Sequence, residues 1–438
     1  MHPLLRIALA GVILALIILF VTTTFVPPPA AEFERARQYF SEDEIATGLR
    51  YSFQRRLFFW AGTALEIGLL MALVATGAAR RLADRFGLWV GYRGKPDAGG
   101  RTWKERTIAF ARWLAVLALM GSTYIVLHEL LQFPINVGRF YHNRAWELTE
   151  RPFLDWLGEY GLALLVTAVI EAIAGVGLFL LLRWFPRTWY LLGTAGVAAL
   201  AFLFAFLQPV LIAPLFNTFT PLSESQFARD PKWAGFEDKV RTLTAKAGLT
   251  IDKVCVADAS RQGTHTNAYF SGLGATQSIV LYDTLLKEHP PDEVESILGH
   301  EIGHWIHRHI INGILLGALA ALVGLIVLDR ILHWFIGRAP VYLSRLSDPA
   351  GLPLILLLGT LGAWVVAPVE NAVSRHFERQ ADAASLNLAG MPREFIAAEK
   401  RLVRVNKSNV VPTSWNVWLF ATHPSAVDRI EMAKGWRE

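Results

Sequence analysis

The chain has 438 residues, of which 53% are hydrophobic and only 18% charged, where a soluble domain typically carries about 25% charged residues. A mean hydropathy of +0.36 and several apolar runs long enough to cross a bilayer exclude an ordinary soluble enzyme. The net charge of +5 suits a membrane protein with basic loops and calls for no nucleic acid, and the single cysteine, Cys255, excludes an intrachain disulfide and a cysteine-based metal site.

In chain order, Leu4 to Val26 reads as a retained first span, too long for a signal-peptide core. Pro27 to Pro29 end it, and the charged segment 30–56 is expected to be partly helical. Leu57 to Ala78 is the second span. The basic stretch 79–106, with Trp89, Trp103 and the Gly99-Gly100 pair, reads as a loop lying on the membrane surface. The third span is expected from Ile108 to Leu131, a loop over 133–158, the fourth from Tyr160 to Leu182, and the fifth from Leu191 to about Ile212. Residues 217–309 contain no spanning run and read as a small soluble α/β insert. Within it, Trp233 to Ala247 is helical by periodicity, and Lys253 to Ala257, Asn267 to Phe270 and Ser278 to Tyr282 are candidate strands.

The insert ends in His300-Glu301-x-x-His304. Residues four apart on a helix lie about 40° apart around its axis, so two imidazoles can hold one metal ion. Glu301, beside the first of them, can act as general base toward a water at the metal, which is the arrangement of zinc hydrolases. Pro290, Pro291 and the acids Asp292, Glu293 and Glu295 mark a helix start just upstream. This helix is expected to run straight into the sixth span, Ile310 to Phe335, with His307 and His309 as interfacial residues that do not ligate and His309 pointing away from the metal. The seventh span is Leu354 to about Val369.

Two crossings separate His304 from the segment after Val369, so both lie on one membrane face. His304 precedes the sixth span by about 9 Å, and Glu378 would stand about 13 Å past the seventh on a straight helix. Taken alone, residues 370–382 read as a surface helix laced with ion pairs; their position opposite the motif makes them a site. Asn371, Arg375, Glu378 and Asp382 share one helical face. Glu378 would complete a His₂Glu site with an open position, and Asp382, one turn on, could fix the tautomer of a ligating histidine. Glu370 and His376 are the rival ligands.

His-Glu-x-x-His followed by Asn371-x-x-Ser374-Arg375-x-x-Glu378-x-x-x-Asp382 resembles the integral-membrane CAAX prenyl endopeptidases, within the gluzincin pattern of zinc peptidases. Pro214 to Leu222, His265 to Phe270, Val280 to Leu285, and Phe420-x-Thr422-His423-Pro424 with Asp428-Arg429-Ile430 are similar to further motifs of that family. The loop Tyr141 to Trp146 matches poorly. The resemblance implies seven helices around a large water-filled chamber, with one Zn²⁺ per chain. It also implies that Asn267, Ala268 and Tyr269 form an edge strand pairing with the substrate backbone. His423 would donate to the oxyanion, and Arg429 would support the site together with Asn371, Arg375 and Asp382.

The expected fold is thus a predominantly α-helical polytopic membrane protein of about seven transmembrane helices, with a small soluble α/β zinc-metalloprotease insert between spans five and six. Residues 1–215 would hold five spans, 216–309 the insert, 310–369 two spans, and 370–438 a C-terminal catalytic extension. The expected partners are the lipid bilayer and a peptide or protein substrate, with or without a lipid; no nucleic acid is expected. The alternatives are a membrane-protein quality-control protease without a prenyl requirement, or a transporter or channel using Glu66, Glu171, His128 and Glu129. Charge counts near the span ends are balanced; the resemblance implies a catalytic face toward the cytoplasm, in the inner membrane if the source is bacterial.

Overall fold

The computed structural model describes residues 3–92, 102–249, 253–271 and 278–436. The chain begins with α1 (Pro3–Thr24), α2 (Ala30–Arg37), α3 (Glu42–Ala75) and α4 (Ala78–Val90), followed by α5 (Trp103–Ala145), α6 (Phe153–Trp184) and α7 (Trp189–Leu207). A π-turn over Gln208–Ile212 and the short α8 (Ala213–Phe216) prolong α7. Among the described residues, seven helices are long and apolar enough to cross a membrane: α1, α3, α5, α6, the α7–α8 unit, and two later ones. Ile17, Leu165, Ile173, Leu203 and Leu319 on these helices are about half exposed, the pattern of a lipid-facing surface. This is a multi-pass membrane protein.

Several expected boundaries move, each for a local reason. The third span does not end at Leu131. Pro134 is absorbed inside α5, which continues to Ala145, so the expected loop beginning at 133 is largely helix. The poorly matching stretch from Tyr141 is the end of this helix, where Tyr51 stacks on His142 at 5.3 Å. Capping boxes at Ser41/Glu44 and Thr102/Glu105 start α3 and α5 well ahead of their apolar runs. The basic stretch after residue 78 is not a loop at its start but the helix α4, whose Leu88 and Trp89 are exposed while Ala79, Ala83 and Phe86 are buried. Its Gly99-Gly100 pair lies outside the described residues.

The insert holds α9 (Phe236–Lys246), α10 (Asp283–Glu288) and α11 (Pro291–Ile306), with a four-stranded sheet of β1 (Phe219–Pro221), β2 (Val254–Ala257), β3 (Ala268–Ser271) and β4 (Ser278–Tyr282). The order is β1-β2-β4-β3. β2 and β4 are parallel, whereas β1 and β3 pair antiparallel with β2 and β4. β3 is therefore an edge strand, with Ala268 opposite Leu281. β1 is too short and proline-bearing to be read from periodicity. Trp233, Phe236, Ile279, Leu281, Leu298 and Ile302 form the core that seats α11 on this sheet.

After α11 come α12 (His309–Phe335), α13 (Leu352–Ala389), α14 (Pro392–Asn406), α15 (Ser414–Phe420) and α16 (Ala426–Lys434). The catalytic helix does not run straight into the sixth span. It ends at Ile306, and Arg308 adopts φ 52° and ψ 39°, a left-handed conformation that restarts the chain as α12 in a new direction. α13 instead continues without interruption from membrane to site, carrying Pro368 inside it. α11 and α13 meet closely at two glycines. A Cβ on Gly303 would stand 2.7 Å from the Ala381 Cα, and one on Gly299 would stand 3.1 Å from the Ser385 Cα. On the other side of the C-terminal segment, Ala36, Phe40 and Ile45 pack with Val403, Val410, Val427 and Ile430. Arg35 there bridges Asp428 at 2.7 Å and Glu431 at 2.6 Å.

Candidate metal centre and active site

The Gly303 contact brings the two histidines of α11 against the face of α13 that carries Glu378 and Asp382. His300 Nε2 and His304 Nε2 are 3.1 Å apart. Glu378 Oε2 lies 3.2 Å from the first and Oε1 3.5 Å from the second. All three donor groups converge within 4.8 Å of one another. Glu370 and His376 are exposed and lie outside this cluster.

The other ring nitrogens are already engaged. His300 Nδ1 donates to Asp382 Oδ1 at 2.7 Å. His309 Nε2 donates to Gln380 Oε1 at 3.0 Å, so its Nδ1 is free to accept from His304 Nδ1 at 2.9 Å. Both Nε2 atoms are thereby left as lone pairs directed at the cluster. His309 thus does not point away as expected from a continuous helix; the break at Arg308 folds it back, and it stacks on Phe377 at 4.2 Å. His307 is exposed.

The electrostatics ask for a cation here. Burial opposes charge on His300, but Asp382 and Glu378 outweigh it and raise the imidazole to about 10, so a proton competes with a metal ion for the Nε2 lone pair. Burial and the His300 charge push His304 down to about 4. Glu378 Oε2 is buried without a hydrogen-bond donor, although His300 and His423 stand 3.2 and 3.3 Å away. Two lone pairs and an unsatisfied carboxylate oxygen meeting at one point are costly unless a metal ion joins them, and a His₂Glu set is a donor set of zinc hydrolases. Burial, reinforced by the Glu378 charge and opposed by His300, also pushes the Glu301 carboxyl up to about 7, the range of a general base.

The remaining expected residues sit around this point in different ways. Arg429 grips Asp382 through Nε at 2.9 Å and through Nη2, and its Nη1 meets Glu399 at 2.7 Å. Burial works against the guanidinium charge, yet Glu399 and Asp382 hold its pKa above the usual value. Arg375 and Asn371 do not reach the ligands. Arg375 Nη1 donates to the carbonyls of Val417 and Ala421 at 2.8 and 2.7 Å, and Asn371 Nδ2 to that of Trp418 at 3.4 Å. They hold the end of α15, from which His423 returns to within 3.3 Å of Glu378. The Thr422 hydroxyl can donate to His423 Nδ1 at 2.8 Å, leaving Nε2–H toward the site. Asn267 and Ala268 border a cavity shared with Glu301 and His423. Tyr269 lies one residue along the edge strand, its ring 6.1 Å from that of Tyr282. Glu399 and Gln380 carry no motif and are not legible in the sequence; Thr266 lies inside the His265 to Phe270 motif, which does not single it out.

Two of the polar residues within the spans, Glu66 and Glu129, are paired between helices. Thr360 donates to Glu66 Oε1 at 3.1 Å, and Tyr160 to Glu129 Oε2 at 2.5 Å.

A His₂Glu cluster at the end of a seven-helix membrane bundle defines a class: the membrane metalloproteases. Residues 233–437, which hold the cluster, match the model of Peptidase family M48. The chain is 24% identical over 400 residues to an uncharacterized metalloprotease, YhfN, of Bacillus subtilis, covering 90% of this chain and 87% of that one. It is 30% identical over 286 residues to the probable CAAX prenyl protease 1 of Schizosaccharomyces pombe, covering 63% and 56%. Over 154 residues it is 36% identical to CAAX prenyl protease 1 of Saccharomyces cerevisiae, covering 34% and 32%. The chain thus spans about half or less of these two prenyl proteases. The crystal structure of S. mikatae Ste24p shares its fold, with a TM-score of 0.75 at 21% identity over 98% of this chain and 99% of that one. These likenesses make the chain a membrane metalloendopeptidase and do not favour the transporter reading.

Proposed function

We propose that the protein hydrolyses peptide bonds of prenylated CAAX-like or other membrane-associated hydrophobic substrates, with one zinc ion per chain held by His300, His304 and Glu378. The observation that carries this reading is the convergence of those three donors beside Glu301, next to an open strand edge. When bound, zinc supplies a Lewis acid that polarises the scissile carbonyl and acidifies water. Glu301 takes the proton of the attacking water and delivers it to the leaving amine. His423 Nε2–H donates to the oxygen that becomes negative. Asp382, held by Arg429, keeps His300 in the ligating tautomer. Asn267, Ala268 and Tyr269 align the substrate backbone by adding it as a strand.

Membrane embedding and the names of the yeast relatives support a lipidated substrate. A quality-control role without a prenyl requirement uses the same chemistry and differs only in substrate. The catalytic face is assigned to the cytoplasm, and to the inner membrane in a bacterium, on the resemblance alone.

The test is metal content and cleavage by detergent-purified protein beside Glu301→Gln, using a farnesylated peptide and its non-prenylated twin. Near-stoichiometric zinc in both proteins, with cleavage only by the wild type, is the expected result. Preference for the farnesylated peptide supports the CAAX reading, and indifference supports quality control. Absence of zinc from both proteins removes the site assignment.

A further inference from the structure

Where the end of the first span meets the C-terminal segment, a pocket of about 590 Å³ is bordered by Glu32 and Arg35 of α2, Arg375 of α13, Trp415 and Trp418 of α15, and Asp428 of α16. It stands at the height of lipid headgroups. Pro29, just past the first span, borders it, and Arg375 rises about 9 Å beyond Val369. An apolar groove of about 790 Å³ adjoins it, between Leu19 of α1 and Val365, Val369 and Ala372 of α13, and Trp418 borders both. At about 100° per residue these α13 positions lie roughly 120–180° around the helix from Glu378, so the groove opens away from the active site. The charges of the pocket are unevenly matched. Arg35 alone serves three carboxylates, Glu32 at 3.1 Å, Asp428 at 2.7 Å and Glu431 at 2.6 Å. Arg375 gives Nη1 to the Val417 and Ala421 carbonyls, which leaves the Nε and Nη2 protons for a guest. The half-exposed rings of Trp415 and Trp418 meet at 75° with centroids 5.7 Å apart, forming an aromatic corner that attracts a cation.

We propose that the pocket and groove together bind one phospholipid with a phosphate–ethanolamine headgroup. The primary ammonium brings three N–H donors to the surplus carboxylates of Glu32 and Asp428, against the Trp415 and Trp418 faces. The phosphate meets the remaining donors of Arg375, and one acyl chain lies along Val365, Val369 and Leu19. Charge selects this guest. The pocket offers a cation to a phosphate and an excess of carboxylate to an amine, which is the pattern of a zwitterion. An anionic headgroup without an amine would leave the carboxylates unmatched, and a quaternary ammonium carries no N–H to give them. The guest rests on α15, the helix from whose end the chain continues to His423, so a lipid of the bilayer becomes part of the wall behind that segment. The inference is independent of the proteolytic reading.

The test uses the full-length protein, delipidated in detergent and offered equal amounts of phosphatidylethanolamine, phosphatidylglycerol and phosphatidylcholine, with the retained lipid counted by native mass spectrometry. Wild type is expected to keep one phosphatidylethanolamine per chain, about tenfold in preference to either of the others. Trp415→Ala and Glu32→Gln should each lower that retention by about tenfold. Both positions are partly exposed, and a melting temperature equal to that of the wild type shows that a variant folds; where Glu32→Gln does not, Trp415→Ala decides. Trp103→Ala, at the start of α5 and outside this pocket, should retain the lipid as the wild type does. Equal retention of phosphatidylglycerol overturns the proposal, as does unchanged retention by folded Trp415→Ala. Equal retention of phosphatidylcholine overturns the ethanolamine assignment, because the carboxylates then read no N–H. Loss of lipid from Trp103→Ala to the same degree reduces the effect to a general ring of interfacial tryptophans and overturns the site.

Discussion

His309 Nδ1 stands 2.9 Å from His304 Nδ1, although the two lie five positions apart with a helix break between them. The left-handed Arg308 makes this contact by redirecting the chain before α12 begins. With Gln380 fixing the far side of its ring, His309 sets which nitrogen of His304 is bare. Replacing such a partner typically costs a factor of about 10 to 100 in metal affinity. His309→Ala should therefore release zinc to a chelator at correspondingly lower concentration, while Gln380→Leu should show a smaller effect. Unchanged chelator competition in folded His309→Ala would show that the contact does not position the ligand.

The approach of α11 to α13 leaves no room for a methyl group. Gly303→Ala would force its Cβ against the Ala381 backbone at 2.7 Å, a clash with main chain that no rotamer relieves. An overpacking cost of about 1–3 kcal/mol is expected, together with loss of zinc, because the same contact brings the histidines to Glu378. Gly313→Ala in α12 meets nothing within 4 Å and should leave both melting temperature and zinc content unchanged.

Arg375 acts at a distance from the cluster of His300, His304 and Glu378. Its two bonds to the Val417 and Ala421 carbonyls hold the end of α15 and thereby the start of the His423 segment. Arg375→Ala should lower the cleavage rate by about tenfold or more, as expected when a group meant for the oxyanion is displaced, while zinc content stays near wild type. Simultaneous loss of zinc would place Arg375 in metal binding instead.

Asp382 is fully buried between His300 and Arg429. Asp382→Ala removes the acceptor of a ligand and half the compensation of a buried guanidinium, a change of about 3–5 kcal/mol for a broken buried pair. Chelation of the wild type tests the other side of the same balance. Removing the ion should lower the melting temperature, by an amount that grows with the logarithm of the zinc concentration restored, because the metal binds only the folded site. A melting temperature indifferent to zinc would argue against a site built on these donors.

Local chemistry made the two halves of the site legible in the sequence. His-Glu-x-x-His needs only a helix to set its geometry, and an even number of membrane crossings forces Glu378 back to the same face. The spans were legible because about twenty apolar residues have few other uses, and β2 and β4 because a buried strand is a run of β-branched and apolar residues. Their ends were not, since capping boxes at Ser41 and Thr102 and a tolerated Pro134 extend helices through polar sequence.

The sequence by itself determined the membrane class, the metal-binding residue types and the face on which they meet. Tertiary structure decided what surrounds them. His309 joins the site through one left-handed residue, and Arg375 turns out to hold a carbonyl pair on α15. Glu399 and Thr266 meet beside Glu301 from segments more than a hundred residues apart in the chain. Periodicity and spacing report only short-range geometry. The partners of a buried polar group are set by which elements pack together, and that information resides in no single stretch of the chain.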